Sequence, residues 1–323
     1  MKAIVLRETG GPQNLRVEEV PIPEPQAGET LVRVHAAALN HREVFITQGR
    51  YPDIQLPRVL GADGCGEAGG KRVVIDPTLG WGDDERVWQP HARILGMPRD
   101  GTFAQYVCVP NENVYRTPDH LSDEEAAALP LAGVTAFRAL FARGELREGE
   151  TVLVTGIGGG VQSFVLLFAK ACGARVAVTS GSDQKLTRAK ALGADAIVNY
   201  RTDPDWHKTL GKSIGAIDLA VDSAGGESLA KALALVRRGG RAVTYGATTG
   251  NVDLRMFPVF WHQLDIRGTS MGSPADFQKM LHFTSKHHIK PVIDRVFEMQ
   301  DVIAAAERMD HAEQFGKIVL RIA

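Results

Sequence analysis

Cysteine is scarce in this chain. Its 323 residues include three cysteines, Cys65, Cys108 and Cys172, which are odd in number, far apart and never spaced as CxxC. That pattern argues against a disulfide framework and against a thiolate metal cage. It is typical of a reducing compartment, and we expect a cytoplasmic location.

Long apolar runs and a surplus of one charge are also missing. The N-terminus MKAIVLRETG lacks the hydrophobic segment of a signal peptide, and the most apolar stretch, VQSFVLLFAKAC, is too short to span a bilayer. The 37 basic residues nearly balance the 38 acidic ones and do not segregate along the chain. We therefore expect no membrane and no nucleic-acid partner, and a small-molecule ligand instead.

Two sequence patterns divide the chain. Residues 1–121 are rich in Gly and Pro and carry short runs such as TLVRVHA and FAQYVCVP, which predict a β domain. From Glu150 onward, apolar strands alternate with helix-length segments, which predicts a parallel sheet with helices on both faces. The endings RVFEM and GKIVLRIA are expected to rejoin the first domain, so the predicted domains are 1–121 with 288–323, and 122–287.

Helix signals lie at the junction and within the second pattern. Ser122 and Glu125 have the spacing of a capping box, and Pro130 should interrupt the helix that follows. The segments SDQKLTRAKALG, ESLAKALALVRRGG and PADFQKMLHFTSKHH are predicted helices.

A strand, a glycine turn and a helix start follow one another in VLVTGIGGGVQSF. The backbone N–H groups and helix dipole of such a unit receive a pyrophosphate. A last glycine often packs the helix on the strand, but Val161 or Gln162 stands at that position. A tight turn without a ligand is the alternative. Two later strand ends, VDSAGG and TYGATTG, carry small residues that would face a cofactor.

Four motifs in chain order carry a family resemblance: VLVTGIGGGV, AKALGADAIVNYR, DSAGGESLAKALALVRRGGRAVTYGATTG and GKIVLR. The chain resembles the medium-chain dehydrogenase/reductase superfamily, in particular its quinone-oxidoreductase-like branch. The resemblance implies an α/β fold with a GroES-like β domain, a Rossmann domain with a doubly wound parallel sheet, and a cleft between them. It also implies a homodimer joined through the last Rossmann strand.

The end of the predicted strand RVAVT lacks the aspartate that holds the adenine ribose in NAD-using relatives. Ser180 takes that position, followed by Gly181 and Ser182. A carboxylate would repel a 2′-phosphate, whereas hydroxyl and backbone donors favour it, with Lys185 one turn along. Tyr200 resembles a tyrosine that borders this phosphate in NADPH-dependent relatives, so we predict NADPH. A helix cap beside a solvated lysine is the alternative.

The resemblance implies further cofactor contacts. Thr135 matches a threonine under the nicotinamide, although it could simply cap a helix. Lys317 either helps to neutralise the cofactor or is a surface residue. The complete predicted cofactor set is Thr135, Gly156, Gly158, Gly159, Gly160, Val161, Ser180, Gly181, Ser182, Lys185, Tyr200, Gly246, Ala247, Ser270, Met271, Gly272 and Lys317.

Zinc-binding members of the superfamily use ligands that this chain lacks. The corresponding stretches ALNHRE, LGADGCGEAGG and LAGVTAF place Asn40, Ala62 and Gly133 at the ligand positions. A catalytic zinc needs three protein ligands, so we expect no metal. His41 and Cys65 lie nearby at the wrong offsets, and the four cysteines of the structural zinc lobe are also missing.

The remaining polar residues suggest the reaction. Asn40 with Glu43 resembles the NxxD pattern of quinone reductases, and Tyr51 matches a tyrosine that faces the substrate. Alternatively, Asn40 only satisfies turn backbone groups and Tyr51 only packs before Pro52. Without a Lewis acid, an acceptor that spreads the incoming charge is favoured.

The prediction is a zinc-independent NADPH oxidoreductase that acts on an electrophilic small molecule, a quinone or an α,β-unsaturated carbonyl. Asn40, Tyr51 and Glu43 are the predicted catalytic residues. An alcohol dehydrogenase that reduces carbonyls and an NADPH-binding sensor or structural protein with little turnover are the alternatives.

Overall fold

The computed structural model describes residues 1–322, which pack as two compact units. The first unit combines Met1–Val134 with the segment from Gly272 onward, and the second is Thr135–Met271. The boundaries predicted from the change of sequence pattern lie at 121/122 and 287/288. The units defined by contacts within the structure instead divide at 134/135 and 271/272. The Tyr115 and Phe277 rings, for example, lie 5.0 Å apart within the first unit.

The N-terminal part of the first unit is mainly β-structure. Its helices are α1 (His41–Thr47), α2 (Asp123–Ala127) and α3 (Pro130–Phe137), the last of which ends in the second unit. Its strands are β1 (Lys2–Leu6), β2 (Leu15–Glu19), β3 (Glu29–Ala38), β4 (Arg58–Val59), β5 (Asp63–Ala68), β6 (Lys71–Ile75), β7 (Thr78–Leu79), β8 (Arg93–Ile94), β9 (Tyr106–Pro110) and β10 (Val114–Arg116).

The second unit alternates strands and helices. Its elements after α3 are a π-helix (Arg138–Arg143), β11 (Thr151–Val154), α4 (Gly160–Ala171), β12 (Arg175–Ser180), α5 (Asp183–Ala191), β13 (Ala196–Asn199), α6 (Trp206–Ile214), β14 (Ile217–Asp222), α7 (Gly226–Leu233), β15 (Val236–Thr244), α8 (Met256–His262) and β16 (Asp265–Gly268). The strands pair in parallel in the order β13-β12-β11-β14-β15-β16. This is the doubly wound Rossmann order.

The chain then returns to the first unit through α9 (Pro274–Lys286), β17 (Ile293–Glu298), α10 (Val302–Asp310) and β18 (Lys317–Arg321). β18 pairs with β3 and β17, which gives a sheet in the order β10-β6-β5-β3-β18-β17, with β9 also on β3. Buried side chains such as Ile4, Phe103 and Ile318 fill its core. Removing this apolar surface from water is the main stabilising contribution.

Several local predictions can be compared with the structure. The capping box at Ser122 and Glu125 is confirmed by reciprocal bonds of 3.2 and 2.9 Å, and the next helix begins at Pro130. The helix predicted for ESLAKALALVRRGG is wrong in its second half, because α7 ends at Leu233 and β15 begins at Val236. Val236 is buried and pairs with Ile217, so tertiary pairing overrides the helical pattern.

The helix α8 presents apolar side chains to solvent at the edge of the parallel sheet. Four of its side chains are more than half exposed, and the rings of Phe257 and Trp261 stack 5.7 Å apart. We call these four the α8 aromatic face: Met256, Phe257, Phe260 and Trp261. The sequence pattern did not reveal this helix, because its apolar residues do not face a core. Across residues 1–322, no helix combines the length and the apolar character needed to cross a bilayer.

Candidate active site

Asn40 lies at the N-cap of α1, in the middle of a buried polar cluster of the first unit. Its backbone N–H donates to Glu43 Oε2 at 2.7 Å, which is part of a capping box. Its Nδ2 donates to Asp63 Oδ2 at 3.0 Å, and its Oδ1 accepts from Lys317 Nζ at 2.7 Å. The amide therefore keeps one N–H hydrogen for a further acceptor.

Lys317 is buried at the start of β18. Its Nζ donates to Leu39 O at 2.8 Å, Asn40 Oδ1 at 2.7 Å and Asp63 Oδ2 at 2.8 Å. An ammonium has three hydrogens, so all of its donors are in use. With 2% of its surface exposed, Lys317 is not the surface residue that the sequence allowed, and its hydrogens are committed within the first unit.

Asp63 is the counter-charge of Lys317 and is fully buried at the start of β5. Its Oδ1 also accepts from the backbone N–H of Leu131 at 2.8 Å. Sequence reasoning missed Asp63. The available signal was an acidic residue among small and apolar ones in LGADGCG, since a buried charge requires a partner.

A second buried ion pair, Arg42 with Glu43, joins the same cluster. Arg42 Nη1 donates to Glu43 Oε1 at 2.8 Å and to Leu95 O at 2.8 Å. Burial raises the pKa of Glu43, and the nearby Arg42 guanidinium opposes that shift. We call Asn40, Arg42, Glu43, Asp63 and Lys317 the Asn40 cluster; its two ion pairs carry no net charge when all four groups are ionised.

Tyr51 borders this cluster through Arg42. Arg42 Nε donates to Tyr51 Oη at 3.4 Å, and the guanidinium carbon lies 5.1 Å from the centre of the Tyr51 ring. The structure thus brings together the three residues predicted to be catalytic, Asn40, Glu43 and Tyr51. Arg42 was missed because a charged residue in the first turn of a helix usually faces solvent.

The positions of the zinc ligands lack suitable donors. Ala62 is fully buried, and a Cβ on Gly133 would lie 2.8 Å from Leu129 Cδ1. The oxygen of Asn40 faces the Lys317 ammonium, which would repel a second cation. Within residues 1–322 there is no group of three or more His, Cys, Asp or Glu side chains that could hold a metal. The residues present do not fit a zinc ion.

The glycine turn of the second unit lies between β11 and α4. Gly156 has φ 65°, a conformation that favours glycine, and its N–H donates to Thr179 Oγ1 at 3.0 Å. Gly160 and Val161 begin α4, so the free N–H groups of its first turn suit an anion. A Cβ on Gly158 would lie 3.1 Å from Lys185 Nζ, which places that ammonium beside the turn. A pyrophosphate fits this arrangement.

Ser180 and Ser182 have different roles at the end of β12. Ser180 is buried, and its Oγ donates to Ile157 O at 3.2 Å and accepts from Ser182 N at 3.3 Å. Its hydroxyl hydrogen is therefore directed inward and orders the turn. Ser182 Oγ accepts from Lys185 N at 3.4 Å as the cap of α5. The helix-cap interpretation therefore applies to Ser182. Position 180 carries no carboxylate that would repel a 2′-phosphate.

Gly181 is flanked by two side chains from the segment after β13. A Cβ on Gly181 would lie 2.7 Å from Arg201 Nε and 3.0 Å from Tyr200 Cε2. Arg201 is exposed, and no acidic partner contacts its guanidinium in the described part of the chain. The nearby Asp183 accepts from Asn199 Nδ2 at 2.7 Å. Sequence reasoning missed Arg201, although it named its neighbour Tyr200.

Other expected cofactor positions follow the ends of β15 and β16. Gly246 and Ala247 follow β15, and a Cβ on Gly246 would lie 2.8 Å from Ser223 O, so this loop packs against the loop after β14. Ser270 and Met271 follow β16, and Met271 is buried with φ 54°. Ligands of doubly wound sheets bind at this edge, where the carboxyl ends of the strands lie.

Thr135 and Gly272 lie next to the points where the chain passes between units. Thr135 is 6% exposed on α3 and belongs to the second unit. Gly272 belongs to the first unit, where a Cβ would lie 2.4 Å from Val134 Cγ2. Close packing alone accounts for the glycine, and its predicted cofactor contact stays a prediction.

Comparison with known proteins assigns the family. Residues 26–119 match the alcohol dehydrogenase GroES-like domain, and residues 160–286 match the zinc-binding dehydrogenase family. A zinc-type alcohol dehydrogenase-like protein, YogA of Leptosphaeria maculans, is 38% identical over 95% of this chain and 94% of its own length. The chain belongs to the medium-chain dehydrogenase/reductase superfamily. It is an oxidoreductase of that superfamily, and the predicted GroES-like and Rossmann architecture is confirmed.

Relatives within this superfamily carry different activities in their names. Acryloyl-coenzyme A reductase of Metallosphaera sedula is 29% identical over 99% of both chains. Quinone oxidoreductase of Mus musculus is 28% identical over 99% of this chain and 97% of its own. A crystal structure of an NAD-dependent alcohol dehydrogenase has 38% identity and a TM-score of 0.93, with complete coverage of both chains. Membership in the superfamily therefore leaves the substrate and the form of the nicotinamide cofactor to be argued from this chain's residues.

Proposed function

We propose that this protein is a zinc-independent, NADPH-dependent oxidoreductase that reduces a quinone or an α,β-unsaturated carbonyl compound. The observation that carries the proposal is the bonding of the Asn40 amide. Its oxygen accepts from Lys317 and one of its hydrogens goes to Asp63, so the amide at the position that resembles a zinc-ligand position keeps one hydrogen-bond donor for a substrate. A donor stabilises an oxyanion, as a metal ion would, but more weakly.

A bound nicotinamide cofactor would supply the hydride that reduces the conjugated acceptor. Asn40 Nδ2 and Tyr51 Oη each have a hydrogen to donate to the acceptor oxygen, which becomes negative as the reaction proceeds. An enolate or hydroquinone anion spreads this charge, so one or two donors suffice. Tyr51 or a water molecule then supplies the proton that, together with the hydride, completes the reduction.

Conjugated acceptors are favoured over simple ketones by the same energetic argument. A metal ion contributes several kcal/mol of transition-state stabilisation to the reduction of an isolated carbonyl. The ligand positions here hold Asn40, Ala62 and Gly133, which do not fit zinc. The acryloyl-coenzyme A reductase and quinone oxidoreductase relatives have names that agree with a conjugated acceptor.

The second candidate is carbonyl reduction of the alcohol dehydrogenase type. The 38% identical relative and the 38% identical crystal structure are both named as alcohol dehydrogenases or proteins like them. In this chain, such a reaction would depend on Asn40 and Tyr51 alone to stabilise an alkoxide. We expect it to be slow for that reason.

The proposal of NADPH depends on the charges around Gly181. Lys185 lies beside the glycine turn and Arg201 beside Gly181, and no carboxylate occupies position 180. These two cations would favour a cofactor with a 2′-phosphate, and hydrogen bonds to charged groups contribute about 1.5–3 kcal/mol each. Because one close structural relative is named NAD-dependent, the two cofactors need to be compared directly.

We further propose that the protein is a homodimer. The parallel sheet ends at β16, and edge strands with unpaired backbone groups pair readily with a second copy. The α8 aromatic face lies next to β16 in the chain and is exposed. Clustered exposed aromatic residues mark interaction surfaces.

Turnover of NADPH with a panel of acceptors tests the proposed reaction. Quinones, enones and enoyl thioesters are compared with simple ketones, by loss of the reduced-nicotinamide absorbance. We expect rapid oxidation with at least one conjugated class and little with acetone. Faster turnover of simple ketones than of conjugated acceptors would favour carbonyl reduction of the alcohol dehydrogenase type. Tight NADPH binding without turnover of any acceptor would favour a cofactor-binding protein without catalysis.

A further inference from the structure

Arg42 connects the two residues that are proposed to contact the acceptor oxygen. Its Nη1 donates to Glu43 Oε1, and Glu43 Oε2 accepts from the backbone N–H of Asn40. Its Nε donates to Tyr51 Oη at 3.4 Å. A single buried ion pair thus links the start of α1 to the hydroxyl of Tyr51, which lies outside that helix.

The direction of the bond between Arg42 and Tyr51 determines what the Tyr51 hydroxyl can do. A guanidinium can only donate, so Tyr51 Oη must be the acceptor of the bond from Arg42. The hydroxyl hydrogen of Tyr51 is therefore left for another acceptor. We infer that Arg42 is a positioning residue for the reaction, which holds Tyr51 as a hydrogen-bond donor toward the acceptor oxygen.

Arg42 is itself firmly held. It is 7% exposed, and its Nη1 bonds both Glu43 and the Leu95 carbonyl. Its guanidinium carbon also lies 5.1 Å from the centre of the Tyr51 ring, so the ring and the hydroxyl are both in contact with the cation. Holding a reacting group in one geometry is a large source of rate enhancement.

One nitrogen of Arg42 has no hydrogen-bond acceptor within the cluster. Its Nη2 is buried and finds no acceptor among residues 1–322, while Glu43 contacts only Nη1. An unused donor therefore remains on the side chain whose Nε bonds Tyr51 Oη. A purely structural arginine of the interior would be expected to use all of its donors.

The inference rests on the proposed function, because it assigns Tyr51 a role in that reaction. The test compares Arg42→Lys, Tyr51→Phe and the double variant in steady-state reduction of the best conjugated acceptor at saturating NADPH. Lysine keeps the charge beside Glu43 but, with one nitrogen, cannot reach Glu43, Leu95 and Tyr51 together. Arg50→Lys is the matched control, since Arg50 lies over the Phe45 ring at 5.0 Å and is exposed.

We expect Arg42→Lys and Tyr51→Phe each to lower kcat by about 10-fold or more, with unchanged NADPH affinity. The double variant should be no slower than Tyr51→Phe alone, because Arg42 acts through that hydroxyl. A structural role would not produce this loss of additivity. Arg50→Lys should keep wild-type kcat.

The other possible results refute the positioning role of Arg42, the role of Tyr51 or the proposed function, and they can be told apart. If the two effects multiply, or if Arg42→Lys keeps wild-type kcat while Tyr51→Phe is slow, the positioning role is refuted and the proposed function stands. If Tyr51→Phe is as fast as wild type, Tyr51 has no role and neither has Arg42. If no conjugated acceptor is reduced by the wild type, the proposed function itself fails.

A measurement that leaves Arg42 intact covers the case in which Arg42→Lys does not fold. Hydrogen exchange of the Arg42 Nε–H group is followed by ¹⁵N–¹H NMR in the wild type and in Tyr51→Phe. We expect faster exchange in Tyr51→Phe, since Nε loses its acceptor. Equal exchange rates in the two proteins would refute the bond on which the inference depends.

Discussion

The ammonium of Lys317 lies 2.7 Å from the side-chain oxygen of Asn40. The same ammonium lies 2.8 Å from Asp63 Oδ2. A cation from the C-terminal strand β18 therefore neutralises the buried carboxylate and fixes the orientation of the Asn40 amide. Stability and proposed chemistry depend on the same three side chains.

Removing one member of this ion pair should destabilise the protein. Lys317→Met leaves Asp63 buried without a counter-charge, which costs about 3–5 kcal/mol. The double variant Lys317→Met/Asp63→Leu should lose less than the single variant, because no charge is left buried. Denaturant unfolding measures both. Lys290→Met, which breaks an exposed pair with Glu125, is the control and should cost at most about 1 kcal/mol.

Cofactor preference should depend on Arg201. We expect the wild type to bind NADPH about 100-fold more tightly than NADH, from two charge-assisted hydrogen bonds. Arg201→Ala should weaken NADPH binding by about 10-fold and leave NADH binding unchanged, as measured by calorimetry. Arg238→Ala, at the N-terminal end of β15, is the control. Equal dissociation constants for NADPH and NADH in the wild type would contradict the assignment.

Activity should not require a metal. The purified protein is expected to contain no stoichiometric zinc and to keep its NADPH-dependent turnover after prolonged chelation. Elemental analysis and activity after chelation check this. One zinc per chain, with activity lost on chelation and restored by zinc, would refute both the site and the proposed reaction.

The α8 aromatic face should be required for the homodimer. Phe260→Glu places a charge on this face, so we expect a monomer where the wild type is a dimer, by light scattering at micromolar concentration. Val87→Glu changes an exposed apolar residue of the first unit and should not alter the mass. A monomeric wild type would end the proposal.

Stability should depend on pH through Asp76. Burial raises the pKa of Asp76 to about 7, and Glu112 adds to the shift, while the Thr78 N–H opposes it. The folded state then binds a proton that the unfolded state releases above its ordinary pKa of about 4. The free energy of unfolding therefore falls by up to about 1.4 kcal/mol per pH unit between pH 4 and 7.

Comparison with Asp76→Asn isolates this contribution. The variant should gain stability relative to the wild type as pH rises from about 4 to about 7, and the difference should stay constant above that range. Asp119→Asn, whose side chain is 80% exposed, should show no such trend. A difference between wild type and Asp76→Asn that does not change with pH would mean that the pKa of Asp76 is the same in the folded and unfolded states.

The repeating part of the fold was predictable because its signals are local. The strand β11, the glycine turn at Gly156 and the helix α4 lie within one short segment of sequence, whereas the end of α7 and the whole of α8 depend on tertiary packing. The pairing of Lys317 with Asp63 was not predictable, since it joins residues 254 positions apart through the pairing of β18 with β3. The inward bond of Ser180 likewise depends on Ile157 in another loop, which no local pattern shows.

The mutual bonding of Asn40, Asp63 and Lys317 constrains how this site can evolve. A change of Asn40 to cysteine alone would deprive the Lys317 ammonium of an acceptor and Asp63 of a donor. The first replacement toward a metal-binding site would thus leave buried charged groups with fewer hydrogen bonds. A cysteine at position 40 therefore needs compensating changes at Asp63 and Lys317, in addition to new ligands at positions 62 and 133.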